Sequence, residues 1–528
     1  MKSPSAVRTC VDLGCLVALV LGCGLSEHSN PTPAHTGGVG ANGGATPSSG
    51  GSGGLGGAQA GQASGGEPSG GTNGLAECPR VTSNHTPGSR IHGQYAVTEA
   101  GDRYWLGWYD SELDVPCEFY ALYDGEFHCA PSAGSFSREF YTNAGCTDKA
   151  YTRGLYDRCG VMNFIFLYDP PECALPPFPY YRFFDLGDAV PSGSDVYVLN
   201  GTACVAAAPP AEPLYRRGPE VDYATRFVSA TYGPLTGGGR LQGYGVTASD
   251  GTRQLTRWRD NTLELDCRLD RAEHGERRCV PIFTSYVQNF ADAACSLPVA
   301  EPAYTCDDSA PAYALQPQPR CPAAANRLFT SGARFDEQLY TAATGTCAPL
   351  TTDPTDSVHY TTQPAPPTLF QDVEISIDMT APGRLKPQFA SADGGCWFDG
   401  VWDSQFETKC AFDLAGDGVQ RCLPSVKAYE SVQIFEDEAC TVSRFYAGPF
   451  QCGSTPVEPF AFVGATSDDC TYSFGVYRTG ELVTNEALGA IWQKTQSGCT
   501  QVTLTAGDYA PLTLVDPSEF VAATLVTE

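Results

Sequence analysis

Six cysteines recur three times in this chain, in the same order and at nearly the same spacing, and no other feature limits its fold as much. The sets are Cys117, Cys129, Cys146, Cys159, Cys173 and Cys204; Cys267, Cys279, Cys295, Cys306, Cys321 and Cys347; and Cys410, Cys422, Cys440, Cys452, Cys470 and Cys499. The first gap is 12 residues in every set, whereas later gaps drift by a few residues, as surface loops do between fixed elements. Other residues keep the same register. Asp110, Asp260 and Asp403 lie seven residues before the first cysteine, and Gly101, Gly251 and Gly394 lie sixteen before it. Pro131, Pro281 and Pro424 follow the second cysteine by two, Phe227, Phe370 and Phe520 trail the sixth, and Arg90, Arg240 and Arg384 open the units. The chain therefore divides into units at 78–233, 234–377 and 378–528, with an Asp-to-Asp period of 150 and then 143 residues.

Inside a unit the apolar residues alternate over short runs bounded by Gly, Asp and Ser, as in LKPQFASADGG and CWFDGVWDS. Asp250-Gly251 and Asp393-Gly394 are hairpin-turn pairs, and Pro interrupts most stretches with helical spacing. The expected fold class is all-β, built as three tandem disulfide-stapled repeats. FVSAT at 227–231 runs through YGPLTGGG into RLQGYGVT, which reads as a hairpin joining one unit to the next. FVAAT at 520–524 has no following unit, and pairing it with RIHGQYAVT at 90–98 would close the array. Two blades per unit would make a six-bladed β-propeller; three separate β-modules in a row are the alternative.

Twenty-three cysteines point to an oxidising compartment, and their spacing lacks the close pairs of a zinc site. Six cysteines allow 15 connectivities, so sequence gives only a preference. Neighbours across a hairpin favour Cys117–Cys129 and Cys146–Cys159 in unit 1, and Cys173–Cys204 then pair by default. The same reasoning gives Cys267–Cys279 and Cys295–Cys306, with Cys321–Cys347 by default, in unit 2, and Cys410–Cys422 and Cys440–Cys452, with Cys470–Cys499 by default, in unit 3. Cys78 and Cys396 fall outside the register, and a bond between them would tie the start of the folded region to unit 3. A net charge of -28 excludes a partner recognised by phosphate neutralisation, hence nucleic acid.

Residues 1–22 carry Lys2 and Arg8 and then the apolar run LGCLVALVLG, too short to span a bilayer, which reads as an export signal. Its end, Val20-Leu21-Gly22-Cys23, resembles the lipobox of bacterial lipoproteins, and the resemblance makes Cys23 the lipidated anchor. Gly24, where that family places Asp for inner-membrane retention, implies an outer-membrane or cell-surface location; plain secretion is the alternative. Residues 23–77 are Gly- and Ser-rich, without an aromatic side chain, and cannot bury a core, so they read as a flexible tether. Signal, tether and repeats with the strings WYDS, RCLP and FEDEAC resemble an uncharacterised family of bacterial surface lipoproteins. That resemblance implies no activity.

No catalytic constellation emerges. The seven histidines share no equivalent positions, HExxH is absent, and the one GxSxG, at residues 50–54, lies in the tether rather than between a strand and a helix. Asp110, Asp260 and Asp403 are the sharpest candidate site, since around a ring they would offer oxygens to calcium; capping of turns by their carboxylates is the commoner use of such residues. Trp105, Trp108, Tyr109, Trp258, Trp397 and Trp402 would suit a platform for sugar rings, although aromatics on alternating strands usually fill cores. The expected function is a lipid-anchored extracellular binding or adhesion protein with a glycan or protein ligand. A propeller hydrolase or lyase acting on polysaccharide and a structural envelope component are the alternatives.

Overall fold

The computed structural model describes residues 84–528 apart from 133–135, 154–163, 169–180, 201–202, 211–212, 237–238, 273–275, 283–284, 302–311, 318–325, 343–346, 351–357, 394, 426–430, 451–458, 467–471, 496–497 and 505–506. A short strand, β1 (His85–Thr86), precedes a meander of β2 (Ile91–Thr98), β3 (Arg103–Asp110), β4 (Val115–Ala121) and β5 (Phe127–Pro131). After an excursion the chain returns as β6 (Val228–Thr236), pairs with β5, and turns into β7 (Leu241–Ala248). This is the hairpin that FVSAT and RLQGYGVT announce. Unit 2 continues with β8 (Arg253–Asp260), β9 (Leu265–Arg271), β10 (Arg277–Pro281) and, after its own excursion, β11 (Glu374–Ile377). Unit 3 supplies β12 (Leu385–Ala392), β13 (Gly395–Asp403), β14 (Thr408–Leu414), β15 (Gln420–Pro424) and finally β16 (Ala522–Thr527).

These strands form one 16-stranded sheet, and β16 lies between β15 and β2, with Tyr95 opposite Val526 and Arg421 opposite Ala522. The sheet is not a closed barrel. Its edges, β10 and β11, meet at the Arg278–Asp372 bridge and two flanking backbone hydrogen bonds, Cys279 N–H to Gln371 and Val373 N–H to Arg277, both 3.0 Å. The excursions form outer sheets of seven, seven and eight strands. The described strands thus fall into four sheets where two blades per unit would make six, because hairpins shared between units join the three meanders into one. Helix is confined, among the described residues, to single turns such as Tyr223–Arg226 and Asn485–Leu488, and none is long and apolar enough to cross a membrane.

The threefold register extends to strand pairing. Ile91, Leu241 and Leu385 lie opposite Asp110, Asp260 and Asp403, and the ladders slip at Gln94/Tyr95, Tyr244/Gly245 and Gln388/Phe389. Each slip is a bulge that turns the outer half of the hairpin away from the inner half. The turned half reaches the neighbouring unit. Tyr104 of unit 1 enters the core of Val401, Cys410, Phe412 and Cys422 in unit 3. Trp397 of unit 3 enters that of Leu241, Cys267 and Cys279 in unit 2, its ring 3.9 Å from that of Trp258. Gln254 of unit 2 closes the circuit by accepting the indole N–H of Trp108 in unit 1 at 2.7 Å. Tyr104, Gln254 and Trp397 are equivalent positions, so each unit's core is covered by the next unit around.

Cys117–Cys129, Cys267–Cys279 and Cys410–Cys422 are buried disulfides within hairpins, with Cα–Cα distances of 5.4, 5.2 and 5.3 Å. The pairing of third with fourth and fifth with sixth cysteine is overturned. Cys146 bonds to Cys204 and not Cys159, Cys295 to Cys347 and not Cys306, and Cys440 to Cys499 and not Cys452. The sixth cysteines are therefore also lost to Cys173, Cys321 and Cys470. The topology of the outer sheets explains it. Cys146 sits in the loop after Phe136–Tyr141, on which Val196–Asn200 pairs, and Cys204 lies on the next strand, Ala203–Ala207. The segment leading to the fourth cysteine instead runs off along Lys149–Arg153 on the other side. Cys159, Cys173, Cys306, Cys321, Cys452 and Cys470 lie outside the described residues. Cys396 is disulfide-bonded; Cys78, its expected partner, lies outside the described residues, as does Cys23.

Candidate functional site

The three aspartates do not share a site. Each is buried, at 0%, 0% and 1% exposure, and takes the guanidinium that opens its own unit. Arg90 Nε and Nη2 reach Asp110 at 2.9 and 2.8 Å, Arg240 Nε reaches Asp260 at 2.9 Å, and Arg384 reaches Asp403 at 2.7 and 2.6 Å. The same carboxylates accept backbone N–H groups two and three residues on, from Glu112 and Leu113, Thr262 and Leu263, Gln405 and Phe406. The arginines also donate to the carbonyls of Arg226, Leu369 and Glu519, just before the repeated phenylalanines. These aspartates thus cap a turn and pair an arginine, which corrects the candidate calcium role: their oxygens are already committed to cations and N–H donors of their own units.

A second repeated constellation holds the third cysteine. Asn143, Asp292 and Asp437, each three residues before it, accept the N–H groups of Thr147 and Asp148, Ser296 and Leu297, Thr441 and Val442. Cys146, Cys295 and Cys440 take φ of 49°, 51° and 51°, a left-handed conformation fixed by that turn. Asp124, Glu126 and His128 bring ligating atoms within 4.8 Å of one another. His128 stands where units 2 and 3 have Arg278 and Arg421, and its Nε2 meets Asp124 at 2.9 Å as Arg421 meets Asp417. The cluster therefore replaces a structural ion pair.

The repeat departs from itself where β4 leaves β3. A cavity of about 120 Å³ opens there, lined by Gln94, Trp105, Leu106, Gly107, Trp108, Pro116, Cys117, Glu118, Phe119, Ser132 and Gln254. In unit 2 the equivalents of Gly107 and Pro116 are Arg257 and Asp266, a buried ion pair at 3.1 Å that Arg259 joins at 3.2 Å. In unit 3 the equivalents of Leu106 and Pro116 are Asp399 and Lys409, paired at 3.3 Å, with Gln388 donating to Asp399 at 2.6 Å. A Cβ on Gly400 would meet the Lys409 chain at 2.6 Å, whereas one on Gly107 would meet only Gln94 Oε1 at 4.0 Å. The covering residue changes too: unit 1 has Gln254 over its core where units 3 and 2 receive Tyr104 and Trp397. Three substitutions toward smaller or uncharged groups therefore coincide at one place.

The aromatics do not make one platform. Trp105 and Trp108 come together at 5.5 Å beside the cavity, with Phe119 6.5 Å from Trp108, while Trp258 and Trp397 pack elsewhere with their rings tilted by 33° and Tyr109 donates its hydroxyl to Asp114. Trp402, half-buried, is on the strand of unit 3. β1 packs against two of the residues that line the cavity. His85 stacks on Trp105 with ring centres 3.6 Å apart, and it pairs with Gln254. Asn84 accepts the N–H of Leu255 at 3.4 Å and donates its side-chain amide to Phe398 at 2.9 Å. Trp105, Leu255 and Phe398 are equivalent, so the three units face one another around this segment.

Sequence reading missed Gly107, Pro116 and Gln254 because it sought what the units share. A charged pair missing from one aligned unit marks Gly107 and Pro116, and a missing aromatic marks Gln254. No curated protein matches the chain, and no solved structure matches it. One family model matches it twice, over residues 72–370 and 237–447, and the chain belongs to that family, the family of unknown function DUF7481.

Proposed function

We propose that the protein is a lipid-anchored extracellular binding protein, held at the cell surface through Cys23 and the tether, which takes its ligand at the unit 1 cavity. The observation that carries this reading is the loss, in one unit only, of the ion pair and the aromatic cover that occupy equivalent positions in the others. A site useful for binding must break the symmetry of a repeat, and here the break leaves space, aromatic surface and polar groups at one point. Binding is favoured over hydrolysis because, among the described residues, one carboxylate, Glu118, lines the cavity, whereas glycoside hydrolysis ordinarily needs two. The test is a capture experiment with envelope extracts. The full chain should retain a defined component that the Gln254→Trp variant, carrying unit 3's own residue, does not. Equal retention by both would remove the cavity from the function, and loss of membrane association in Cys23→Ser would support the anchor.

A further inference from the structure

We infer that the unit 1 cavity accepts a single uncharged, hydroxyl-bearing ring, as in a neutral pyranose residue; this rests on the cavity being the binding site. The polar groups come first. Gln254 is 6% exposed and lines the cavity, and its Oε1 is committed to the Trp108 indole at 2.7 Å. Its amide hydrogens find no acceptor among the described residues and are left to a ligand. Glu118 Oε2 accepts from the Tyr120 hydroxyl at 2.8 Å, which leaves the other carboxylate oxygen as an acceptor. Gln94 and Ser132 add an amide and a hydroxyl to the lining. Donors and acceptors side by side suit hydroxyl groups, each of which donates once and accepts as well.

Charge and size narrow the class. Among the described residues no Lys or Arg lines the cavity and one Glu does, in a chain of net charge -28, so a phosphate, sulfate or uronate would be desolvated beside like charge without a counter-ion. The quaternary ammonium head of choline would suit Glu118 and the indoles but has no hydrogen to donate and no oxygen to accept, and the single hydroxyl of choline can meet only one of the amides of Gln94 and Gln254, leaving the other unpaired. A pyranose offers an apolar face to Trp105, Trp108 and Phe119 and hydroxyls to the amides and carboxylate. The volume of about 120 Å³ falls well below the roughly 300–1,000 Å³ of sites for drug-sized molecules, so one ring enters and the rest of a chain stays outside.

Calorimetry and tryptophan fluorescence on the full chain would test it. The probes are methyl glycosides of glucose, galactose, mannose and N-acetylglucosamine, with methyl glucuronide and choline beside them. At least one neutral glycoside should bind in the millimolar range and perturb the fluorescence, the glucuronide and choline should not, and Gln254→Trp should weaken binding about tenfold or more. Gly107→Arg combined with Pro116→Asp, the pair found in unit 2, fills the same space by another route and should act alike. Choline binding that is lost in both variants would overturn the sugar class while keeping the site. Glycoside binding untouched by either variant would overturn the site. No response to any neutral glycoside at saturating concentration would overturn the class.

Discussion

Removing one of the three buried aspartates would strand its arginine. Asp403→Ala should cost about 3–5 kcal/mol in a denaturant titration, because it leaves a largely buried guanidinium unpaired and frees two turn N–H groups. Asp372→Ala, whose partner Arg278 is 3.8 Å away and whose own side chain is 70% exposed, should change stability by well under about 1 kcal/mol. The asparagine-or-aspartate turns at the third cysteine give a pH signature. The Ser296 hydroxyl and neighbouring N–H groups hold the Asp292 carboxyl below its ordinary range, and the Thr441 hydroxyl and its neighbours do the same for Asp437. A carboxylate with a lowered folded pKa stabilises above its unfolded pKa and loses that contribution as pH falls through the folded value. Amide signals of Ser296, Leu297, Thr441 and Val442 should therefore shift below the ordinary carboxylate range, while those of Thr147 and Asp148, held by the non-titrating Asn143, should keep their hydrogen bonds. The aspartates at seven residues before the first cysteine were legible as repeated. Their arginine partners, twenty or nineteen residues earlier, were visible as residues but not as partners, since strand register decides which of several arginines arrives.

Among elements, the hairpin was the most legible. A spacing of 12 residues around a turn places two cysteines on neighbouring strands, and β4–β5, β9–β10 and β14–β15 carry such bridges. The same local rule failed for the third cysteine because the outer sheets order their strands out of sequence, so its partner lies 58, 52 or 59 residues on. The two classes should behave differently under reductant. The third-to-sixth bridges close longer loops and contribute about 4 kcal/mol each against about 3 for the hairpin bridges in the chain-entropy account. Cys146 and Cys204 are nevertheless half-buried, whereas the hairpin cysteines of unit 1 are 1% and 0% exposed. Brief treatment with a mild reductant followed by alkylation and peptide mapping should label Cys146 and Cys204 before Cys117 and Cys129.

For the whole molecule, the exchange of covering residues makes the units interdependent. Trp397→Ala should destabilise by about 3–5 kcal/mol although it lies in unit 3, because it empties the cover of unit 2's core. A chain of this length would ordinarily unfold in stages, yet here thermal unfolding of the folded region should show one transition by both tryptophan fluorescence and far-ultraviolet dichroism. Expression of 234–377 alone should give an unfolded product. The closing pair of β2 and β16 was legible in the two similar strings FVSAT and FVAAT, one with a following strand and one without. The count of sheets was not, because nothing in alternating residues tells whether successive hairpins share hydrogen bonds or merely sit side by side.

The segment Asn84–Thr86 touches Trp105, Leu255 and Phe398 in three different ways: a ring stack, an accepted N–H and a donated amide hydrogen. One strand cannot be threefold. Three identical units would offer it three equal docking places, and the molecule would exist as an ensemble of three degenerate arrangements related by rotation. Divergence at these positions, together with the short link from Thr86 to Ile91, favours one docking of the segment over the other two. A consensus version with one residue at all three positions should show multiple sets of signals for His85 in its nuclear magnetic resonance spectrum, where the present sequence should show one.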